Sequence, residues 1–204
     1  MNIILLGAPA SGKGTMSNFL KQTYDIPAIS TGDIIRENIK NKTSLGIKSQ
    51  EYINDGVLVP DEIVIDLIRA RLGQSDTANG YILDGFPRTL SQAVALDKIS
   101  NITKVIYLNV GYNTLLERSL SRRICPKCNA IYNTKTHKSD FCDECDTKLV
   151  IRDDDNETVL KKRFDEFQSE TKPLIAYYKK CNKLIEVDGS GDSLEVFKKI
   201  SKEL

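Results

Sequence analysis

The sequence predicts an α/β fold: a doubly wound parallel sheet of P-loop type with helices on both faces. Two observations carry that expectation. An apolar run, Ile3-Ile4-Leu5-Leu6, leads straight into the glycine-rich turn Gly7-Ala8-Pro9-Ala10-Ser11-Gly12-Lys13-Gly14-Thr15, and a helical segment from Met16 to Thr23 follows it. Beyond that, short apolar strands and amphipathic helices alternate along most of the chain, the pattern of parallel strands joined by helical crossovers.

Taken in order, Asn2 to Leu6 is a near-continuous apolar strand, as a parallel sheet covered on both faces requires. Ile26 to Ile29 reads as a second, short strand that ends at Ser30-Thr31-Gly32-Asp33, where a helix carrying Ile34, Ile35 and Arg36 begins. The next helix, about Ser44 to Asp55, stops at Gly56, a common C-terminal cap. Val57-Leu58-Val59 is extended because the residue before a proline avoids the helical region, and Pro60 opens a helix with Ile63, Val64, Leu67 and Ile68 at helical spacing. Tyr81 to Asp84 is a strand ending in Gly85-Phe86-Pro87-Arg88, and Leu90, Val94 and Leu96 mark the helix after it. Lys104 to Val110 is the most strand-like stretch, followed by a helix from about Asn113 to Arg123. A cysteine-bearing insert then interrupts the alternation until about Arg152. Two helices follow, the second after Pro173, then a strand from Leu184 to Val187 and a last helix capped by Asp192 with Glu195 three residues on. Ligands of such sheets sit beyond the C-terminal strand ends, and Gly7, Thr31, Asp84 and Gly111 all fall on that edge.

The 204 residues suffice for one sizeable core with inserted subdomains. With 29 basic residues against 28 acidic ones, nothing favours wholesale attraction to nucleic acid or membranes, so any anion site must come from local placement. No apolar run approaches membrane-spanning length, and the N-terminal apolar stretch lacks a basic flank and runs into the glycine-rich turn, so a signal peptide is not expected.

The turn has the makings of a phosphate cradle. Its glycines let the backbone curl closely round phosphate oxygens, the following helix adds partial positive charge, and Lys13 supplies a full one. Gly14 follows the lysine, so the hydroxyl arrives one place late at Thr15, which argues against direct magnesium ligation there. Asp84, closing a strand beside this loop, occupies a position where acids hold magnesium, often through water; the plainer reading is a cap for the next turn.

Four of the five cysteines form two C-x-x-C pairs, Cys125/Cys128 and Cys142/Cys145. Four thiolates close a tetrahedral zinc site with no open position, so the metal would be structural; spacing alone admits iron as well, and a redox dithiol would leave the second pair unexplained. The insert holds few large apolar residues, mainly Ile131, Tyr132 and Phe141, and a metal supplies the folding energy that a core cannot. Cys181 is expected to be a buried packing residue, and the lone histidine, His137, an exposed residue of the insert.

Together these segments resemble the adenylate kinase family. The likeness rests on Gly7-Ala8-Pro9 through Gly12-Lys13-Gly14-Thr15, on Ser30-Thr31-Gly32-Asp33 with Arg36, and on Asp84-Gly85-Phe86-Pro87-Arg88 with Gln92. Arg122-Arg123-Ile124-Cys125 and Arg152 followed by Asp154-Asp155 and Arg163 extend it, so that it runs in order from residue 2 to about residue 191. The cysteine insert matches the long-lid, zinc-bearing branch. Ala10 stands where the family usually has glycine, and Met16 where it usually has glutamine; Ala10 is expected to strain the loop slightly.

The resemblance implies a core of residues 1–29, 60–117 and 156–204, an AMP-binding helical insert at 30–59, and a zinc-stabilised lid at 118–155. ATP phosphates would lie over Ala10, Ser11, Gly12, Lys13, Gly14 and Thr15, with Arg122 reaching them from the lid hinge and Arg118 against adenine. Ile131 and Tyr132 would touch ATP from the lid, and the backbone of Gly191 would meet its base. AMP would meet Thr31, Arg36, Val57, Leu58, Val59, Gly85, Phe86, Pro87, Arg88 and Gln92, whose amide suits the adenine edge. Arg152 and Arg163 would grip the transferring phosphate, completing a catalytic set of Lys13, Arg88, Arg122, Arg152, Arg163 and Asp84. The implied reaction is reversible phosphoryl transfer from Mg-ATP to AMP giving two ADP, by a cytoplasmic monomer carrying Mg2+ with its nucleotide and structural Zn2+. Neither nucleic acid nor membrane is an implied partner. A UMP- or CMP-type nucleoside monophosphate kinase is the nearest alternative, though those usually carry a short lid. A zinc-ribbon nucleic-acid-binding protein is a further one, against which the balanced charge counts.

Overall fold

The computed structural model describes residues 1–54, 59–152 and 155–204, apart from the side chains of Glu51, Ile53 and Asn54. In chain order the first half comprises β1 (Asn2–Gly7), α1 (Lys13–Tyr24), β2 (Ala28–Ser30), α2 (Thr31–Lys40), α3 (Ser44–Asn54), α4 (Asp61–Leu72), β3 (Tyr81–Asp84) and α5 (Leu90–Ile99). The second half comprises β4 (Lys104–Asn109), α6 (Tyr112–Ser121), β5 (Arg122–Ile124), β6 (Ile131–Asn133), α7 (Glu157–Glu166), α8 (Pro173–Lys180), β7 (Leu184–Asp188) and α9 (Ser193–Ser201).

Five strands pair in the order β2-β3-β1-β4-β7, every pairing parallel, with Leu5 opposite both Asp84 and Ile106. Successive side chains of a strand point to opposite faces. Accordingly Ile3 and Leu5 pack with Ile82, Ile106, Val187 and the inner stripes of α1 and α9, among them Leu20 and Ile200. Ile4 and Leu6 pack on the other side with Leu83, Val105, Tyr107 and residues of α4, α5 and α8, including Ile68, Leu96 and Tyr178. This is the doubly wound parallel sheet that the alternation predicts. The chain leaves β1 toward β2 on one side and returns past it to β4 and β7 on the other, so the C-terminal end of β1 faces the crevice where such folds bind ligands.

Side-chain caps set several helix starts. Ser30 Oγ accepts from Asp33 N, Thr89 Oγ1 from Gln92 N, Asn156 Oδ1 from Val159 N, and Asp192 Oδ1 from Leu194 N.

Several expectations need correction. β2 begins at Ala28 rather than Ile26, because Pro27 has no N–H for the ladder; the Ile26 side chain is still buried. α6 ends at Ser121, since Arg122–Ile124 pair antiparallel with β6 instead of continuing the helix. The two helices after Arg152 are joined through a π-helical turn, Phe167–Thr171, in which Lys172 N reaches Phe167 O at 2.8 Å. Pro173 cannot donate to the Ser169 carbonyl four residues back, and a widened turn accommodates it. Cys181 is exposed at the end of α8, not buried. In the insert Ile131 and Phe141 are exposed, and its small apolar cluster is Cys125, Cys142 and Leu149 with Tyr132, Ala130 and Cys145 packed against it. Among the described residues no helix is long and apolar enough to cross a membrane.

Candidate active site

The C-terminal end of β1 opens into a cleft of about 910 Å³. Its floor is the phosphate loop. Gly12 takes φ +99° and Ala10 φ +62°, so the left-handed turn that glycine tolerates freely is held at residue 10 by an alanine. Lys13 Nζ folds back to donate to the carbonyls of Gly7 and Ala8 at 2.8 and 2.9 Å. A Cβ on Gly7 would stand 2.5 Å from Ser11 Oγ, so the glycine lets the serine close over it. Ser11 is buried, and its hydroxyl has no hydrogen-bond partner among the described residues, which suits it to a ligand oxygen.

Lys13, Arg88, Arg122, Arg152 and Arg163 all line the cleft, and Asp84 joins them from the end of β3. The effect of this crowding is electrostatic. Burial pulls the Lys13 ammonium down to about 8; Asp84 opposes that, while Arg88, Arg163 and Arg122 add to it. Burial likewise lowers Arg88, with Arg163 contributing, and raises the Asp84 carboxyl against the pull of Lys13 and Arg88. The cations are thus close enough to destabilise one another, and a bound polyanion would relieve them.

Arg122 is held from behind. Its Nε donates to Asp155 Oδ2 at 2.8 Å, its Nη2 pairs with Asp155 Oδ1, and Ser119 Oγ donates to the same oxygen at 3.2 Å. Arg118 bridges the phosphate loop and the turn after β7, donating to the carbonyls of Ser11, Ser190 and Gly191 at 3.2–3.3 Å. Ile131 and Tyr132 line the cleft from the insert. A Cβ on Gly14 would come within 3.1 Å of Ile131 Cδ1.

Arg36, Gly85, Pro87 and Arg88 also line the cleft, with Arg36 paired to Asp33. Thr31 is buried beside the Asp84 carbonyl, and Phe86 and Val59 belong to the core behind the wall. Gln92 is also buried, engaged at both ends by Asp61 and by Arg88 N. Val57, Leu58 and Asp154 lie outside the described residues. Arg69 and Arg71 pair with Asp66 and Asp76 away from the cleft.

The four cysteines of the insert meet, their sulfurs all within 4.8 Å of one another. Cys125–Cys145, Cys128–Cys142 and Cys128–Cys145 separations are 3.4, 3.5 and 3.8 Å. A tetrahedron with metal–sulfur bonds of about 2.3 Å has edges of about 3.8 Å, so the set fits a metal ion. The Tyr132 hydroxyl lies 3.2 Å from Cys142 Sγ and holds that thiol below its ordinary range. His137 is half-buried rather than exposed, its ring 4.3 Å from that of Tyr132 and Nε2 3.0 Å from Phe141 O. The residues missed in sequence are Asp61 and the Tyr132–His137 support of the cysteines. Only the placement of Asp61 in the first turn of a helix was visible, and that reads as an ordinary helix-start acid.

Fold and cleft define a P-loop α/β protein built to hold polyphosphate. The comparisons with known proteins agree: the family model described as Adenylate kinase matches residues 5–183. Curated relatives named adenylate kinase include one from Clostridium tetani, 46% identical, with 100% of this chain and 98% of that protein covered. Others come from Caldicellulosiruptor bescii, 45% identical with 100% and 99% covered, and from Methanocella arvoryzae, 46% identical with 96% and 94% covered. The chain belongs to the adenylate kinase family.

Proposed function

We propose that the protein reversibly transfers the terminal phosphoryl group of Mg-ATP to AMP, giving two ADP. The observation that carries the reading is the convergence of Lys13, Arg88, Arg122, Arg152 and Arg163 with Asp84 on one cleft above the phosphate loop. Phosphoryl transfer asks little covalent chemistry of a protein and much positioning and charge neutralisation. Guanidinium forks meet phosphate oxygens bidentately and keep their charge, so they serve where a lysine alone would not.

In this reading the donor phosphates sit over residues 10–15, with Lys13 on the outer ones and Arg122 reaching them under the hold of Asp155. Arg118 flanks the donor base beside Gly191, and Ile131 and Tyr132 cover it. The acceptor takes the side lined by Arg36, Gly85, Pro87 and Arg88, next to Thr31, Val57 to Val59, Phe86 and Gln92. Arg152 and Arg163, which line the same cleft, would hold the group in flight. Mg2+ accompanying the nucleotide would be held through Asp84 and would neutralise charge on the phosphate oxygens. Zn2+ is the ion assigned to Cys125, Cys128, Cys142 and Cys145, where a closed set of four sulfurs supplies folding energy rather than chemistry. Residues 30–59 and 118–155 are the covers that exclude water from the core of 1–29, 60–117 and 156–204. The protein works as a monomer in the cytoplasm, without nucleic-acid or membrane partners.

An ADP-forming assay with Mg-ATP against AMP, UMP, CMP and GMP tests this. Fastest turnover with AMP is expected; faster turnover with UMP or CMP would reassign the acceptor.

A further inference from the structure

Behind the acceptor side of the cleft lies a hydrogen-bond network in which every group has only one workable role. Arg88 N donates to Gln92 Oε1 at 2.7 Å, and Gln92 Nε2 donates to Asp61 Oδ1 at 2.7 Å. Thr89 Oγ1 donates to Asp61 Oδ2 at 2.7 Å while accepting from Gln92 N at 3.2 Å. A backbone N–H can only donate and a carboxylate can only accept, so the amide orientation is dictated by its partners. Oxygen must face Arg88 and nitrogen must face Asp61.

We propose that Asp61 is a specificity-determining positioning residue that locks the Gln92 amide in one flip state, and thereby selects a 6-amino purine over a 6-oxo purine as acceptor. The proposal rests on the reading of Gln92 as a neighbour of the acceptor base. With both ends engaged, Gln92 retains one N–H and one oxygen lone pair, in a fixed order. The edge of adenine offers an acceptor ring nitrogen beside an amino donor. A 6-oxo purine inverts both, placing an N–H donor beside a carbonyl acceptor. Presenting the same N1–C6 edge in the same orientation, it therefore sets donor against donor and acceptor against acceptor. Rotating the amide would repair that clash only by breaking the bonds to both Arg88 N and Asp61. Without Asp61 the amide keeps only its bond from Arg88 N, so turning it to suit a 6-oxo purine costs one hydrogen bond rather than two and the preference weakens. Asp61 is suited to the lock because it stands in the first turn of α4, so it fixes Gln92 of α5 from a rigid neighbouring element.

The test compares kcat/KM for AMP and IMP in the wild type, in Asp61→Asn and in Asp61→Ala, with Mg-ATP as donor. Asparagine keeps the shape but can turn its own amide to follow Gln92. Loss of one hydrogen bond to a charged group is worth roughly 10- to 100-fold, so the AMP-over-IMP ratio is expected to fall by about that factor. The KM for Mg-ATP should stay unchanged. An unaltered ratio in both variants, even with slower turnover, would overturn the lock, as would a wild type that takes IMP as readily as AMP. If the wild type fails to use AMP at all, it is the acceptor assignment that falls instead. Independently of any variant, the Gln92 side-chain amide protons should exchange slowly with water by NMR; exchange as fast as that of a surface glutamine would also overturn the lock.

Discussion

Replacing Asp155 with asparagine isolates the pair that holds Arg122. The Asp155 side chain is 1% exposed and that of Arg122 18%, and the carboxylate takes two donors from the guanidinium and one from Ser119. Removing one partner of a fully buried ion pair costs about 3–5 kcal/mol, because the other charge is stranded. Arg122 opens on the cleft and keeps some access to water, so the lower end, about 3 kcal/mol, is expected here. For a chain of this size each kcal/mol shifts the melting temperature by about 2–4 °C, which gives a fall of roughly 6–12 °C. Scanning calorimetry reads that fall. The same variant should lose turnover in the ADP-forming assay, by about 100-fold if the guanidinium is displaced by an ångström. Asparagine can still accept one bond, so the double variant with Arg122→Leu should cost less than the sum of the two single changes. A variant that melts within about 2 °C of the parent, less than 1 kcal/mol, would refute the reasoning.

Other perturbations have equally definite outcomes. Lys13→Ala or Arg88→Ala should lower turnover by roughly 10³–10⁵ while leaving the circular dichroism spectrum and melting temperature near those of the parent; wild-type-like rates would remove both from the chemistry. Because burial holds Lys13 near 8 in the free protein, kcat/KM for Mg-ATP should fall as pH rises through about 8, while kcat, measured with the polyanion bound, should persist to higher pH; a flat kcat/KM profile would contradict this. The stability term has the opposite sign: between about 8 and the ordinary value of 10.5 the unfolded chain holds more of this proton, so the contribution of Lys13 to stability rises with pH across that window. A thiophilic chelator, followed by restored Mg2+, should depress the melting temperature more than it depresses activity at 25 °C; lost turnover with the insert still folded would give the metal a chemical role. Ala10→Gly should raise stability by about 1 kcal/mol in a urea titration, since a left-handed alanine costs about 1–2 kcal/mol; no gain would mean that the turn is not strained.

What could be read in sequence was what local chemistry decides. The phosphate loop is contiguous, the C-x-x-C pairs carry their own spacing, and β1 needs apolar residues on both faces whatever surrounds it. What escaped depends on partners far along the chain. The Gln92–Asp61 bond spans 31 residues, and no periodicity encodes it. The end of α6 was set by pairing with β6, not by a stop signal of its own. His137 looked exposed because its neighbours are polar, yet the ring of Tyr132 shelters it. Cys181 looked like a packing residue by type, and its place at the C-terminus of α8 leaves it in solvent.

Gly14 gives the phosphate loop a second reason for its composition. A methyl group placed on Gly14 would stand 3.1 Å from Ile131 Cδ1, and the isoleucine tip would have to give by a few tenths of an ångström. A side chain on the residue after the lysine would therefore meet the insert as well as the loop. Loop and insert, segments more than a hundred residues apart in the chain, thus come within side-chain contact at this one glycine.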